Sequence, residues 1–414
     1  MPTAAYLNDH PEKYRRLLLS WFDVNKRELP WRRRRTLYGT WISEMMLQQT
    51  TVKVVVPYWE KFLAVFPDVE TLAAADPDEV LSLWAGLGYY RRARQLHEAA
   101  RMVADKMEGK LPREVEGWLA LPGIGPYAGG AVASIGLGIR VPAVDANARR
   151  VLSRWLVGDT KTLADLKPAH LDRVAAGLVD EERPGDWNEA VMELGALVCR
   201  AGDPRCPVCP VRSLCRAHQA GIVDQVPPAK STAAAIGVQL GLLLVRRQEQ
   251  VLLLPPGAGP VAGPADVPPP VRADVSGLHA GLWGLPSTPW LPRPVNGAAD
   301  WPGRFWRSWL HGVPIPGYSR NDQDPVLVGS FRHQITRYRL LVSVYDLRLA
   351  EGPDHPGDIL AAPPEHRDRS GVVAGSSSSN HKQLWARFFD ISAPECPVSN
   401  LVAKSLRLAK NSSV

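Results

Sequence analysis

Four of the chain's five cysteines fall between Cys199 and Cys215, separated by six, two and five residues, and no other feature restricts the fold as much. A disulfide framework is normally spread over a small secreted domain, whereas this cluster sits in a chain of 414 residues. Thiols gathered so tightly point to metal. Four thiolates close a tetrahedral zinc site or hold a 4Fe–4S cluster. Zinc ribbons usually present two Cys-x-x-Cys knuckles, and only Cys206–Cys209 forms one here. Spacing alone leaves the two metals open. Either would fill all four ligands and leave no position for a reactant, so the cluster is read as structural. Cys396 stands apart.

A length of 414 residues favours two domains, because single cores stop growing well below that size. Hydrophobic residues make up 45%, enough for packed cores, and no apolar run reaches membrane-spanning length. The first residues lack the charged-then-apolar layout of a secretory signal, so a cytoplasmic protein is expected. Net charge is +7, which permits nucleic-acid binding without proving it. Up to Gln225 there are 30 Lys and Arg against 28 Asp and Glu, and beyond it 19 against 14. The excess is diffuse, so any DNA affinity must come from local patches. One candidate patch is the run Arg32 to Arg35, for which a phosphate-contacting strip and plain solvated surface weigh about equally.

Residues 11 to 220 carry apolar residues at helical spacing, as in PEKYRRLLLSWFDVNK and YYRRARQLHEAARMVADKM, with no obvious strand. Asp76-Pro77 reads as an N-cap followed by proline at the first helical position. The domain boundaries expected are 1–225 for an all-α domain, 226–236 for a linker, and 237–408 for a smaller α+β domain. In the latter, IGVQLGLLLVRRQEQVLLL predicts a β-hairpin turning at Arg246 to Gln250, RYRLLVSVYDLRL a half-buried strand, and residues 370–380 a mobile loop.

Within the helical half, LPGIGPYAGGAVASI predicts a helix end, a turn at Gly123 and Gly125, and a new helix from Pro126. Glycines let backbone approach a phosphate, and a helix start offers free N–H groups and a positive dipole end. This suits a helix-hairpin-helix that grips a DNA backbone without reading bases, although a plain helical turn has the same pattern. Asp145 lies beyond it, ahead of apolar positions 148, 151, 152, 155 and 156, and is a natural N-cap. A carboxylate at a helix N-terminus is also suited to face a cationic sugar. Glu44 stands among Ile42, Met45, Met46 and Leu47, surroundings that weaken the reading of a solvated helix glutamate.

Together, Leu-Pro-Trp at 29–31, SEMMLQQT at 43–50, LWAGLGYYRRARQLH at 83–97 and the hairpin resemble the helix-hairpin-helix glycosylases, and within them the adenine-specific MutY family. The resemblance spans residues 11 to about 220. It implies a base-excision repair enzyme that hydrolyses the N-glycosidic bond of adenine mispaired with 8-oxoguanine or guanine in double-stranded DNA, acting as a monomer. It implies a 4Fe–4S cluster on Cys199, Cys206, Cys209 and Cys215. Bifunctional relatives such as endonuclease III, the nearest rival reading, have lysine where this chain has Tyr127, which cannot form a Schiff base. A non-catalytic DNA binder would have no need of Glu44, Tyr127 and Asp145 together. By the same resemblance Glu44 protonates adenine N7 and later handles the water. Asp145 stabilises the oxocarbenium-like sugar, with or without a covalent adduct, and Tyr127 and Asn147 orient these groups. Arg27, Trp31, Leu47 and Glu189 match positions around the adenine, while Gln49 and Tyr89 match residues inserted into the duplex. Two departures are small-for-small: Val-Asp-Gly-Asn reads Val-Asp-Ala-Asn at Ala146, and Tyr-Thr-Ala-Gly reads Tyr-Ala-Gly-Gly.

GLWGLPS at 281–287 resembles a segment of MutY C-terminal domains, which share the MutT (Nudix) fold. Nudix hydrolases hold magnesium on a glutamate-rich helix, and the STPWLPRPVNGAADW that follows Pro286 has no glutamate. A MutT-like reader of oxidised guanine without hydrolase activity is therefore expected. The family's Phe-Ser-His loop reads Phe331, Arg332, His333 here. The resemblance implies that Phe331 and His333 read the lesion; Arg332, a departure from the family, either adds salt-sensitive affinity or points to solvent, with Phe331 then ordinary core.

Overall fold

The computed structural model describes residues 11–159, 168–228, 234–247, 250–253, 285–288, 291–292, 302–303, 305–306, 310, 324–335, 338–349, 387–390 and 400–411. Cys396, residues 281–284 of GLWGLPS and the segment 370–380 lie outside them. The chain divides into two compact units, one of residues 1–75 and 92–232, the other of 76–91 and 233–414. No described helix is long and apolar enough to cross a membrane.

In chain order the helices before the first strand are α1 (Pro11–Asn25), α2 (Pro30–Arg33), α3 (Leu37–Leu47), α4 (Val52–Val65), α5 (Val69–Ala74), α6 (Pro77–Trp84), α7 (Arg91–Met107), α8 (Val115–Leu119), α9 (Pro126–Leu137), α10 (Ala146–Leu156), α11 (Pro168–Leu178), α12 (Pro184–Leu197) and α13 (Arg216–Gln219). Among the described residues no strand precedes Ile236, as the periodicity predicts. Their starts follow local chemistry. Asp76 accepts from the Asp78 N–H with Pro77 at the first position of α6, and Thr36 accepts from Gly39 to open α3.

The apolar stripe of α10, Ala148, Val151, Leu152, Trp155 and Leu156, is wholly buried. It joins Tyr14, Leu18 and Phe22 of α1 and Trp187 and Leu194 of α12 in one core of the first unit. Tyr14 and Trp155 ring centroids are 5.0 Å apart, and the Tyr14 hydroxyl donates to the Leu214 carbonyl at 2.6 Å. Each such side chain contributes about 1.5–3 kcal/mol by leaving water. This core fixes α10 against α12, and with them the start of α10.

In the second unit, a sheet runs in the order β4-β5-β1-β2-β6, with β3 (Leu291–Pro292) paired to β1. Its long strands are β1 (Ile236–Arg247), β4 (Val326–Ile335) and β5 (Tyr338–Arg348); β2 (Gln250–Leu253) and β6 (Arg387–Asp390) are short. The expected hairpin is present, with Arg246 opposite Val251 and Arg247 opposite Gln250. β5 is the predicted strand, inward at Tyr338, Leu340, Val342 and Val344, and it runs parallel to β1. A closing helix, α14 (Asn400–Asn411), lies on β4, where a Cβ at Gly329 would stand 3.1 Å from Leu408.

One expectation needs correction. Phe331, Arg332 and His333 are not on a loop but inside β4, opposite Val342, Leu341 and Leu340. Alternation turns Phe331 and His333 to the face covered by α14, where Phe331 packs on the core and Lys404 stands 5.9 Å from its ring. Both are half-buried, and the exposed member of the triplet is Arg332.

Candidate active site

Glu44 lies in α3, whose residues from Tyr38 to Met46 are all buried, and is itself only 5% exposed. Tyr127, in the first turn of α9, donates its hydroxyl to Glu44 Oε2 at 2.7 Å and lies 3.5 Å from Met192 Sδ. Burial pushes the Glu44 carboxyl up to about 7; the charges of Glu189 and Asp145 add to this, and the Tyr127 hydrogen bond and Arg32 oppose it. Burial, followed by the Glu44 and Asp145 charges, holds the Tyr127 phenol well above its usual range, so it remains a donor.

Asp145 is the N-cap of α10, as its sequence context predicts. Oδ1 accepts from the Ala148 N–H at 2.6 Å and Oδ2 from Asn147 Nδ2 at 3.0 Å. Burial raises its proton affinity, opposed by the N–H groups of Ala148 and Asn147 and by Arg150. Both oxygens accept from N–H donors, the arrangement an ionised carboxylate makes. Asn147 is oriented in turn: its Oδ1 accepts from Arg150 Nη2 at 3.0 Å, and Arg150 donates to the carbonyls of Gly195 and Cys199, both at 2.8 Å.

An ion-pair layer lies beside these groups. Glu193, 2% exposed, accepts Arg27 Nε and Nη2 at 2.8 Å each and Arg32 Nη2 at 3.2 Å. Although burial opposes it, these two arginines hold the Glu193 carboxyl down to about 2. Glu189 accepts Arg32 Nε at 2.6 Å and is also paired with Arg35. Of the expected pocket residues, Arg27 and Glu189 are thus engaged in this layer. Trp31 is buried edge-on to Trp59 at 5.8 Å, and Leu47 is half-buried at the end of α3. The run 32–35 is no uniform phosphate strip: Arg32 and Arg35 turn to α12, and Arg34 covers the Trp59 ring at 5.7 Å. Glu193 and Arg150, which the sequence did not single out, carry much of this arrangement, together with Arg32, which turns inward from the basic run. The i, i+4 spacing of Glu189 and Glu193 on one helix was the available signal.

Gln49 (φ 57°) and Tyr89 (φ 51°), the two expected duplex-inserting residues, are non-glycine residues in the left-handed region. Among the described residues only Glu108 shares that conformation. It costs about 1–3 kcal/mol per residue and collects at functional positions. Both side chains are exposed. At the hairpin Gly123 has φ 79°, which a side chain rarely adopts, and around Gly125 a Cβ would meet nothing within 4 Å.

Cys199, Cys206, Cys209 and Cys215 line one cavity with Arg154, Trp155 and His218. All four are free thiols. Arg154, itself buried, donates to Cys199 Sγ at 3.2 Å and to the Arg200 carbonyl at 2.8 Å. Among the described residues no group of three or more His, Cys, Asp or Glu side chains converges as the donors of a single metal ion would.

Residues 42–174 match the HhH-GPD superfamily of base excision DNA repair proteins. An adenine DNA glycosylase of Mycolicibacterium smegmatis is 44% identical over 205 residues, 49% of this chain and 69% of that protein. The chain belongs to the adenine DNA glycosylase family. The human adenine DNA glycosylase is 39% identical over 318 residues, 67% of this chain and 58% of its own length. The chain spans about half the length of the mammalian relatives it matches. Among solved structures, a thermostable thymine-DNA glycosylase matches with a TM-score of 0.48 and 29% identity, over 51% of this chain and 98% of that one.

Proposed function

We propose that this chain removes adenine paired with 8-oxoguanine or guanine from double-stranded DNA, by hydrolysing the N-glycosidic bond and without cutting the strand. The observation that carries the reading is a buried Glu44 that keeps its proton to about pH 7 beside an Asp145 whose two oxygens accept N–H bonds. Adenine leaves poorly as an anion, so its departure needs a proton. Glu44 gives its proton to adenine N7 as the bond between C1′ and N9 breaks, with the bonding pair leaving on the base. The Asp145 carboxylate faces the positive charge left on the sugar. Water then adds at C1′ and its proton returns to Glu44. Tyr127 keeps Glu44 in place by its hydrogen bond, and Asn147 does the same for Asp145. Tyr127 offers no amine, which supports hydrolysis over strand cleavage.

Arg27, Trp31, Leu47 and Glu189 surround the extruded base in this reading. Gln49 and Tyr89 enter the duplex, their strained and exposed backbone positions supporting that role. The hairpin at Gly123 and Gly125 holds phosphate. Cys199, Cys206, Cys209 and Cys215, which line one cavity, hold a 4Fe–4S cluster in this reading, by resemblance to the family. When bound, the cluster cross-links the loop and supplies no step of the reaction. Residues 1–225 form the glycosylase domain, and 237–408, after a linker at 226–236, a MutT-like domain that reads 8-oxoguanine. The enzyme works as a monomer on chromosomal DNA in the cytoplasm.

The test is to incubate the protein with duplexes that each carry one defined mispair and to map cleavage with and without alkali. Cleavage at the adenine only after alkali is expected. Nicking without alkali, or release of an oxidised pyrimidine instead, would sink the reading.

A further inference from the structure

Asp145 stands at the end of a run, residues 139–145, that has no regular structure of its own and turns tightly at Arg140, where the Val141 N–H donates to the Ile139 carbonyl at 2.9 Å. A carboxylate delivered by such a run is placed only as well as the run is held. Its polar backbone is held by a side chain outside the catalytic set. Asn188 of α12, 4% exposed, donates Nδ2 to the Val141 carbonyl at 2.8 Å and accepts the Ala143 N–H on Oδ1 at 3.1 Å. Its second Nδ2 hydrogen goes to Ser134 Oγ at 2.8 Å, on α9, the helix that opens with Tyr127. One amide therefore ties the run to the two helices that carry Tyr127, Glu189 and Met192.

Backbone packing brings the run within reach. A Cβ at Gly130 on α9 would stand 2.2 Å from the Pro142 carbonyl oxygen, and one at Gly195 on α12 would stand 2.7 Å from Asn147 Cβ. The segment before and after Asp145 thus lies in a slot that glycine opens on two sides and Asn188 grips between them. With three hydrogen bonds in a dry interior, the amide has one orientation that satisfies it, so it fixes both helices and run in a single register.

We propose that Asn188 is a positioning residue that sets where Asp145 stands relative to Glu44 and Tyr127, governing bond cleavage and not duplex affinity. The proposal rests on the glycosidic reading above. Displacement of a reacting group by about 1 Å costs on the order of 100-fold in rate.

The experiment compares Asn188→Ala, Asn188→Asp and Ser134→Ala with the parent. Single-turnover adenine release is measured at saturating enzyme on an 8-oxoguanine:adenine duplex, Kd on the product duplex, and Tm for each protein. Asn188→Ala should slow release about 10- to 100-fold with Kd within about twofold. Ser134→Ala loses a buried hydrogen bond but neither grip on the run, so it should lower Tm while its rate stays within about twofold. Equal rates for Asn188→Ala and Ser134→Ala would overturn the proposal. If Asn188→Ala does not fold, Asn188→Asp decides, since it keeps the size and the Ala143 contact but sets a carboxylate against the Val141 carbonyl. A normal rate there also overturns it. If the parent releases no adenine, the glycosidic reading fails by itself. Hydrogen exchange at the Ala143 amide then judges Asn188: faster exchange in the variants supports the clamp, and unchanged protection refutes it.

Discussion

Replacing Glu44 with glutamine should separate stability from chemistry at one buried carboxyl. Burial lifts Glu44 from its ordinary 4.5 to about 7. A folded-state value above the unfolded one means that folding favours the proton. The associated stability is whole below pH 4.5 and is lost as pH rises through about 7. At about 1.4 kcal/mol per pH unit, that gap corresponds to about 3 kcal/mol. Glutamine stays neutral and escapes this loss, but leaves amide hydrogens to be satisfied in the interior, at a cost of about 1–2 kcal/mol. Glu44→Gln should therefore be up to about 1 kcal/mol less stable than the parent at pH 5, where the loss has begun, and more stable by about 1–2 kcal/mol at pH 8.5. Thermal melts at the two pH values read this difference, with the sign of the Tm change inverting between them. Single-turnover adenine release should fall by about 100- to 10,000-fold at pH 5, since an amide has no proton to give, and the gap should narrow above pH 7 as the parent's Glu44 ionises. The same Tm difference at both pH values would refute burial as the reason Glu44 keeps its proton, whatever the activity.

Asp145→Asn should lose adenine release by at least about 100-fold, while its Tm stays close to the parent's, because asparagine caps a helix as well as aspartate does; near-normal release would exclude Asp145 from the sugar chemistry. Tyr127→Lys should introduce some strand nicking, read by borohydride trapping on the duplex, and failure to trap would show that this position does not present an amine to the sugar. Purified protein should be brown and contain iron, and Cys206→Ser should lower its iron content and duplex affinity before it lowers the chemical step; stoichiometric zinc in a colourless protein would sink the iron–sulfur assignment. Alanine at both Phe331 and His333 should reduce the preference for 8-oxoguanine over guanine opposite adenine, and Arg332→Ala should mainly weaken binding and flatten its salt dependence; an unchanged preference in the double variant would remove this strand from lesion reading.

Features set by neighbours in the chain were legible beforehand. The cap at Asp145, the turn at Gly123, the proline start of α6 and the hairpin after Ile236 all formed where local pattern put them. Burial of Glu44 was also legible, because its neighbours in the chain, Ile42, Met45, Met46 and Leu47, are apolar. Partners distant in sequence were not. Glu193 lies 166 residues from Arg27 and 161 from Arg32, and no pattern within either segment says which arginine of the run turns inward. Asn188 looks like any polar residue of an amphipathic helix until α9 and the run to Asp145 close over it. The Phe331 segment failed differently. Its alternation of apolar and polar residues fits a strand, whereas a loop was expected from resemblance, and the pairing with β5 follows the alternation.

The acid and the anion are assigned by where each carboxyl sits on its helix. Burial raises the proton affinity of both Glu44 and Asp145. Glu44 is inside α3, where every backbone N–H nearby is already committed to the helix, so only Tyr127 and Arg32 oppose burial. Asp145 stands before the first turn of α10, where N–H groups have no partner within the helix, and those of Ala148 and Asn147 oppose burial there. One carboxyl is thereby left to keep a proton and the other to accept hydrogen bonds as an anion, before any substrate arrives. Exchanging the two environments, not the two residues, is what would exchange their roles. An aspartate at position 44 would still be a buried acid, only shorter and out of reach of Tyr127, while a glutamate at 145 would cap α10 poorly and place its charge one carbon too far from the helix end.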